Sequence, residues 1–207
     1  MAQVYPDRPR NRKPAMPDPN PAALDFLLNR RSRPAKTLGA PWPGRADLRP
    51  ILTAAARTPD HGKLEPWRFI VLGRDANDRL ADAAHEIGTA QARPPEDIAK
   101  FADQFARSGL CVAVIASPKP SDKIPGIEQT LSAGAVCLSL LNAALASGWG
   151  ANWLSGWGAH DPDFRARALG LAPHETVAGF IHVGTETSAP PDRPRPDLDA
   201  ITDWRDT

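Results

Sequence analysis

Two short polar stretches hold most of the side chains able to do chemistry. Asn29-Arg30-Arg31-Ser32 sets two guanidiniums beside a hydroxyl. Arg57 then precedes Thr58-Pro59-Asp60-His61-Gly62-Lys63-Leu64-Glu65-Pro66-Trp67-Arg68-Phe69, where a histidine stands in a proline-bounded loop. Guanidiniums hold anions through charge-assisted and often two-pronged bonds, so an arginine pair with a serine suits a phosphate. Each residue also has an ordinary explanation. Arg30 and Arg31 near a helix C-terminus would be favoured by the helix dipole alone, His61 can brace its own loop, and Trp153 can be a core residue.

Other chemistries have less to stand on. There is no glycine-rich phosphate loop, no His-Glu-x-x-His and no Cys-x-x-Cys. No nucleophile elbow occurs, although a Ser-His-Asp arrangement is recognised by geometry and stays open at this level. Cys111 and Cys137, the two cysteines, each sit inside an apolar run, where a free thiol behaves as a small hydrophobe. His182, in Ile181-His182-Val183, reads as a strand residue with a structural partner; His85, His160 and His174 have no neighbouring ligand pattern.

The elements that must position these groups follow from periodicity. Pro21 to Arg31 predicts a short helix that delivers Arg30, Arg31 and Ser32 at its end, Pro34 preventing continuation. Asp47 is placed to cap a second helix with Leu48, Ile51, Leu52 and Ala55 at helical spacing. Trp67 to Leu72 and Leu110 to Ala116 read as strands, with helices over Asp75 to Thr89 and Pro95 to Ala106 between them. A long helix from about Gly126 to Ser147 carries Ser132, Ala133, Gly134, Ala135, Ser139, Ala143 and Ala144, small residues that let another backbone come close. Gly148 to Leu154 and Val177 to Val183 are strands around a helix from Pro162 to Leu169 ended by Gly170. The order gives an α+β domain, a sheet layered with helices and without internal repeats.

A chain of 207 residues, 42% hydrophobic and 24% charged, suits one folded domain over residues 21–207. Residues 1–20, with five prolines and the basic cluster Arg8, Arg10, Arg12 and Lys13, read as a solvated tail. A net charge of +1 argues against a nucleic-acid binder. Gln129 to Ala159 has no Asp, Glu, Lys or Arg, but Ser132, Ser139, Asn142, Ser147 and Asn152 interrupt it and argue against a bilayer span. With no secretory signal in the tail, a cytoplasmic protein without membrane or nucleic-acid partners is expected.

The two opening stretches, in order with Ser132-Ala133-Gly134 and Gly148-Trp149-Gly150-Ala151-Asn152-Trp153 leading to Ser155-Gly156, resemble the nitroreductase family, particularly its short branch. The resemblance covers about Pro21 to Pro196. It implies an intertwined homodimer around a mixed β-sheet, with FMN as cofactor and NAD(P)H as co-substrate. The implied reaction is ping-pong hydride transfer to small electron-poor acceptors such as nitroaromatics or quinones. Flavin carries that chemistry, so no protein catalytic residue is required. Carried over, Arg30, Arg31 and Ser32 contact flavin and phosphate, and Arg57 and His61 reach the flavin of the partner subunit. Trp153, Leu154 and Ser155 line the ring, and Arg193 and Arg195 are further phosphate ligands. Glu65, where glutamine is commoner before Pro-Trp, bears on acceptor choice. Alternatives are a non-catalytic flavin-binding or interaction protein, or divergent flavin chemistry such as dehalogenation.

Overall fold

The structure, a computed structural model, describes residues 18–205. The chain divides into two compact units, the first ending at Arg30 and the second beginning at Arg31. The basic cluster Arg8, Arg10, Arg12 and Lys13 lies outside the described residues. In the first unit Asn20 caps α1 (Pro21–Asn29) by accepting from the Ala23 N–H, and Pro21 takes the first position, where a missing donor costs nothing. The helix stops two residues short of the expected Arg31. Asn29 folds its amide back onto Asp25, and Arg30 is already extended (φ −58°, ψ 141°).

The second unit is a sheet covered by helices on both faces. Its strands are β1 (Leu38–Gly39), β2 (Trp67–Gly73), β3 (Leu110–Ala116), β4 (Gly150–Leu154) and β5 (Thr176–Glu186). β5 pairs with β1, β3 and β4, and β3 pairs with β2. The α+β class is as expected, but the sheet expected to be mixed is antiparallel in every pairing among the described residues. An apolar run specifies a buried strand without specifying its direction, so the sequence pattern carried no information on that point.

The helices are α2 (Arg45–Ala55), α3 (Arg74–Ala90), α4 (Pro95–Ala106), α5 (Gly126–Ala146), α6 (Trp157–His160), α7 (Pro162–Leu169) and α8 (Leu198–Ile201). α2 begins earlier than expected, and Asp47, expected as its cap, sits one turn in and accepts from the Gly44 N–H at 3.1 Å. α7 ends at Gly170 in the left-handed conformation (φ 65°, ψ 32°), the stop expected from sequence.

All of β3 is buried, because its alternating side chains enter two cores. Leu110, Val112 and Val114 pack with Leu48 and Ile51 of α2 and Val136 and Leu140 of α5. Cys111, Ala113 and Ile115 pack with Leu80 and Ile87 of α3, Phe101 and Phe105 of α4 and Phe164 of α7. α5 is long and apolar enough to cross a membrane by length and composition, yet here it is the core helix of the first of these layers.

Candidate functional site

The arginine-bearing segment is held against the sheet by its neighbour. Arg33 donates its backbone N–H to Ala151 O in β4 at 2.8 Å, and its guanidinium pairs with Glu186 at the end of β5 at 3.1 Å. Arg31 Nη1 donates to Pro191 O at 2.6 Å, which brings Arg31 beside the extended run that carries Arg193 and Arg195. Both of those arginines are exposed, and Arg195 pairs with Asp192 at 3.3 Å. Ser32 is half-buried between Arg31 and Arg33, whereas Arg30 belongs to the first unit.

Two adjoining clefts open where β4 meets α4. The first, about 430 Å³, takes Lys36 from the 3-10 turn Ala35–Thr37, Lys100 and Gln104 from α4, and Asn152 and Leu154 from β4. The second, about 350 Å³, shares Lys100, Gln104 and Leu154 and adds Ser155, Gly156 and Trp157. Gly156 makes the turn between them at φ 152°, and a Cβ there would stand 2.4 Å from Phe101 Cδ2. Only glycine brings the backbone so close to α4 in that conformation. Lys36 and Lys100 have no ion-pair partner among the described residues, whereas Arg107, in the same cleft, is paired with Asp103 at 2.9 Å. Lys36 thus adds an unpaired charge to the first cleft and Lys100 to both, with Asp103 lining the first cleft and Asp97 the second.

Leu154 lines both clefts and Ser155 the second. Trp153 points to the other side of the strand, its indole lying across Gly179, where a Cβ would come within 2.1 Å of Nε1. Strand alternation makes this unavoidable once Asn152 and Leu154 face α4. Ser155 Oγ lies 3.5 Å from His160 Nε2, a residue the sequence left unassigned.

Arg57 and His61 lie elsewhere. His61 Nδ1 is 2.5 Å from Glu128 Oε2 of α5, over a shallow concavity of about 540 Å³ that also includes Pro59, Leu131, Ser132 and Ala135. The loop is fastened to α5 by Ser132 Oγ donating to Pro59 O at 2.9 Å, by Trp67 Nε1 donating to Ser132 Oγ, and by the Thr58–Ser139 hydroxyl pair. Asp60 accepts from the Glu65 N–H at 2.6 Å. These ties hold Gly62, Lys63 and Glu65 at positive φ (77°, 53° and 47°). Such conformations cost non-glycine residues on the order of 1 to 3 kcal/mol and persist where the surroundings over-determine them. Within one chain, then, Arg57 and His61 stand on the α5 side of the sheet and Lys100, Gln104 and Ser155 on the α4 side.

The profile described as the Nitroreductase family matches residues 28–185. The chain belongs to the nitroreductase family. Among curated proteins it is 33% identical over 163 residues (79% of this chain, 87% of the relative) to an Escherichia coli (strain K12) protein provisionally named NAD(P)H nitroreductase YdjA. It is 34% identical over 164 residues (79% and 88%) to a Haemophilus influenzae protein provisionally named NAD(P)H nitroreductase. Among solved structures, a nitroreductase-like family protein from Bacillus cereus superposes with a TM-score of 0.75 at 22% identity, covering 93% of this chain and all of that one. A Desulfovibrio desulfuricans protein described as a nitroreductase in complex with FMN gives 0.68 at 20% identity, covering 91% and 99%. These two likenesses speak for the nitroreductase fold. The profile includes Arg30 to Ser32, Arg57, His61 and Trp153 to Ser155, and stops before Arg193 and Arg195.

Sequence reasoning missed Lys36, Lys100 and Gln104. Lys100 and Gln104 are four apart on a helix that was read correctly, so they share a face. Which neighbour that face would meet was not visible, and Lys36 joins them only through the turn before β1.

Proposed function

We propose that this nitroreductase-family chain is an FMN-dependent NAD(P)H oxidoreductase that reduces small electron-poor acceptors such as nitroaromatics or quinones in ping-pong order. The supporting observation is the pair of adjoining clefts, which share Lys100, a lysine without an ion-pair partner among the described residues, and of which the first also holds Lys36. The donor set fits FMN. Arg31, Ser32, Arg193 and Arg195 would hold the phosphate end, and Leu154, Ser155 and the backbone of Trp153 would flank the ring. Lys36 and Lys100 would face the ring edge that gathers negative charge on reduction, a role suited to preorganised cations in a partly closed cleft. FMN, when bound, supplies the hydride chemistry; the chain binds, orients and shields.

The same reading makes the enzyme a cytoplasmic homodimer in which Arg57 and His61 serve the flavin of the partner subunit. Three observations support the dimer. Arg57 and His61 stand apart from the clefts within one chain. The C-terminal segment exposes Leu198, Ile201 and Trp204 (69%, 68% and 78%) among Asp197, Asp199 and Asp203. A further cleft of about 710 Å³ between α2 and the edge strand β2 offers Leu48, Leu52, Val71 and Leu110 beside Arg45 and Arg49, an apolar and basic complement to that segment.

The absorbance spectrum of the purified protein tests the function. Expected are non-covalent flavin bands in the blue and near ultraviolet, FMN released on denaturation, anaerobic bleaching by NADH or NADPH and recovery with a quinone. A colourless protein that takes up no FMN at micromolar concentration would overturn it.

A further inference from the structure

His182 is the buried partner of a cleft residue. Its ring, 1% exposed in β5, lies between Cys111 of β3 and Phe105 of α4. Nε2 is 3.4 Å from Gln104 Oε1 and 4.0 Å from Cys111 Sγ, while Nδ1 has no hydrogen-bond partner. Gln104, half-buried, continues the line: its Nε2 donates to Ser155 O at 3.4 Å.

The direction of this line is fixed by what each atom can do. Ser155 O is a carbonyl oxygen and only accepts, so the Gln104 amide must turn its nitrogen toward it. The amide oxygen then faces His182 and also only accepts, so Nε2 must carry the ring proton. A neutral imidazole has a single N–H, and the partnerless Nδ1 is thereby left as a bare acceptor. Burial drives the ring's pKa down to about 4, which keeps it in this neutral form near pH 7. The reversed amide would set its oxygen against Ser155 O, two acceptors with no hydrogen between them.

Gln104 belongs to both clefts, and one of its two amide hydrogens remains after Ser155 is served. We propose that His182 is a positioning residue that locks the Gln104 carboxamide as a donor, and that Gln104 gives its second hydrogen to a carbonyl or imide group of the ring bound in the clefts. The identity of that ring as FMN rests on the proposed function; the lock itself does not.

Two measurements test it. In long-range ¹H–¹⁵N spectra of the protein as purified at pH 7, the His182 ring, assigned by its loss in His182→Phe, should be the Nε2–H tautomer. A ring protonated at Nδ1 would overturn the lock. The second measurement is FMN affinity across a cycle. Gln104→Leu should weaken it about two- to tenfold, the cost of one neutral hydrogen bond. His182→Phe, which keeps a ring against Phe105, should weaken it less, and the double variant no more than Gln104→Leu alone. FMN binding unchanged by Gln104→Leu, or losses that add, would overturn the proposal while leaving the proposed function standing. A wild-type protein that binds no FMN would overturn that function and the ligand half together, the tautomer still deciding the lock; should His182→Phe fail to fold, Gln104→Leu and the wild-type spectrum suffice.

Discussion

Arg31 and Pro191, 160 residues apart, are joined by a 2.6 Å hydrogen bond from the guanidinium to the carbonyl oxygen. One arginine thereby reaches the opening stretch and the C-terminal run at once, and keeps further donors for an anion. Arg31→Ala should weaken FMN binding by about tenfold to a hundredfold, the equivalent of ~1.5 to 3 kcal/mol for a charge-assisted bond. Titration of the flavin-free protein measures it, and an unchanged far-ultraviolet spectrum checks that the fold survives.

Arg57 and His61 stand on the other side of the sheet, so each proposed site draws on two chains. Mixing Arg31→Ala subunits with His61→Ala subunits should restore part of the activity per flavin, since one site of a mixed dimer has both residues intact. No recovery, with exchange of subunits demonstrated, would show that His61 does not act across an interface.

The exposed Leu198, Ile201 and Trp204 carry a separate expectation. A chain ended at Pro196 should dissociate at least about tenfold more readily, because the loss of even one buried apolar side chain exceeds the ~1.4 kcal/mol this requires. Sedimentation over a range of concentrations decides it, and an unshifted equilibrium would remove these residues from the interface.

Arg68 donates from Nε and Nη2 to Glu175 at 2.7 and 2.8 Å, and Ala172 N–H adds a third bond to the same carboxylate. The Arg68 hydrogen bonds lead in lowering the Glu175 pKa from 4.5 to about 2, against the opposing effect of burial. A lowered carboxylate pKa stabilises the fold fully above the unfolded value and loses that contribution as pH falls from about 4.5 through about 2. Between pH 7 and pH 3 the native protein should lose on the order of 2 kcal/mol through this group, and Glu175→Gln should lack that component. Urea unfolding at the two pH values measures both.

Burial raises the Cys137 thiol to about 12 and raises Cys111 as well. Neither should react with a thiol reagent at pH 7.5 until denaturant is added, since the thiolate is the nucleophile. Rapid labelling of the native protein would contradict the packing of both β3 and α5.

The fold was legible where local signals were strong. β3 is an unbroken apolar run, α4 starts at a proline and keeps helical spacing to Ala106, and Gly170 stops α7. β1, with two residues, and α6 and α8, with four each, are too short for any periodicity. Pairing direction was hidden for the reason given above. Motifs drew attention to Arg31, Trp153 and Ser155, but a motif does not say which sheet face its odd positions take, so the direction of the Trp153 side chain was not legible. Lys36, Lys100 and Gln104 are ordinary polar residues until β4 is laid beside α4. His182 was read as a strand residue with a structural partner, and only the packed structure identifies that partner.

β1, β3 and β4 all pair with β5, the last of the described strands in chain order. On the ribosome, only the β2–β3 ladder is available to the sheet until Thr176 to Glu186 has cleared the exit tunnel. Loop closure between such distant partners is entropically costly and slow. The faces of α4 and α5 that β5 covers stay open until then, although α4 can already rest on α3 and α5 on α2. Chains truncated before Thr176 should show no cooperative unfolding; a cooperative transition in such a fragment would give β5 a lesser part in closing the fold.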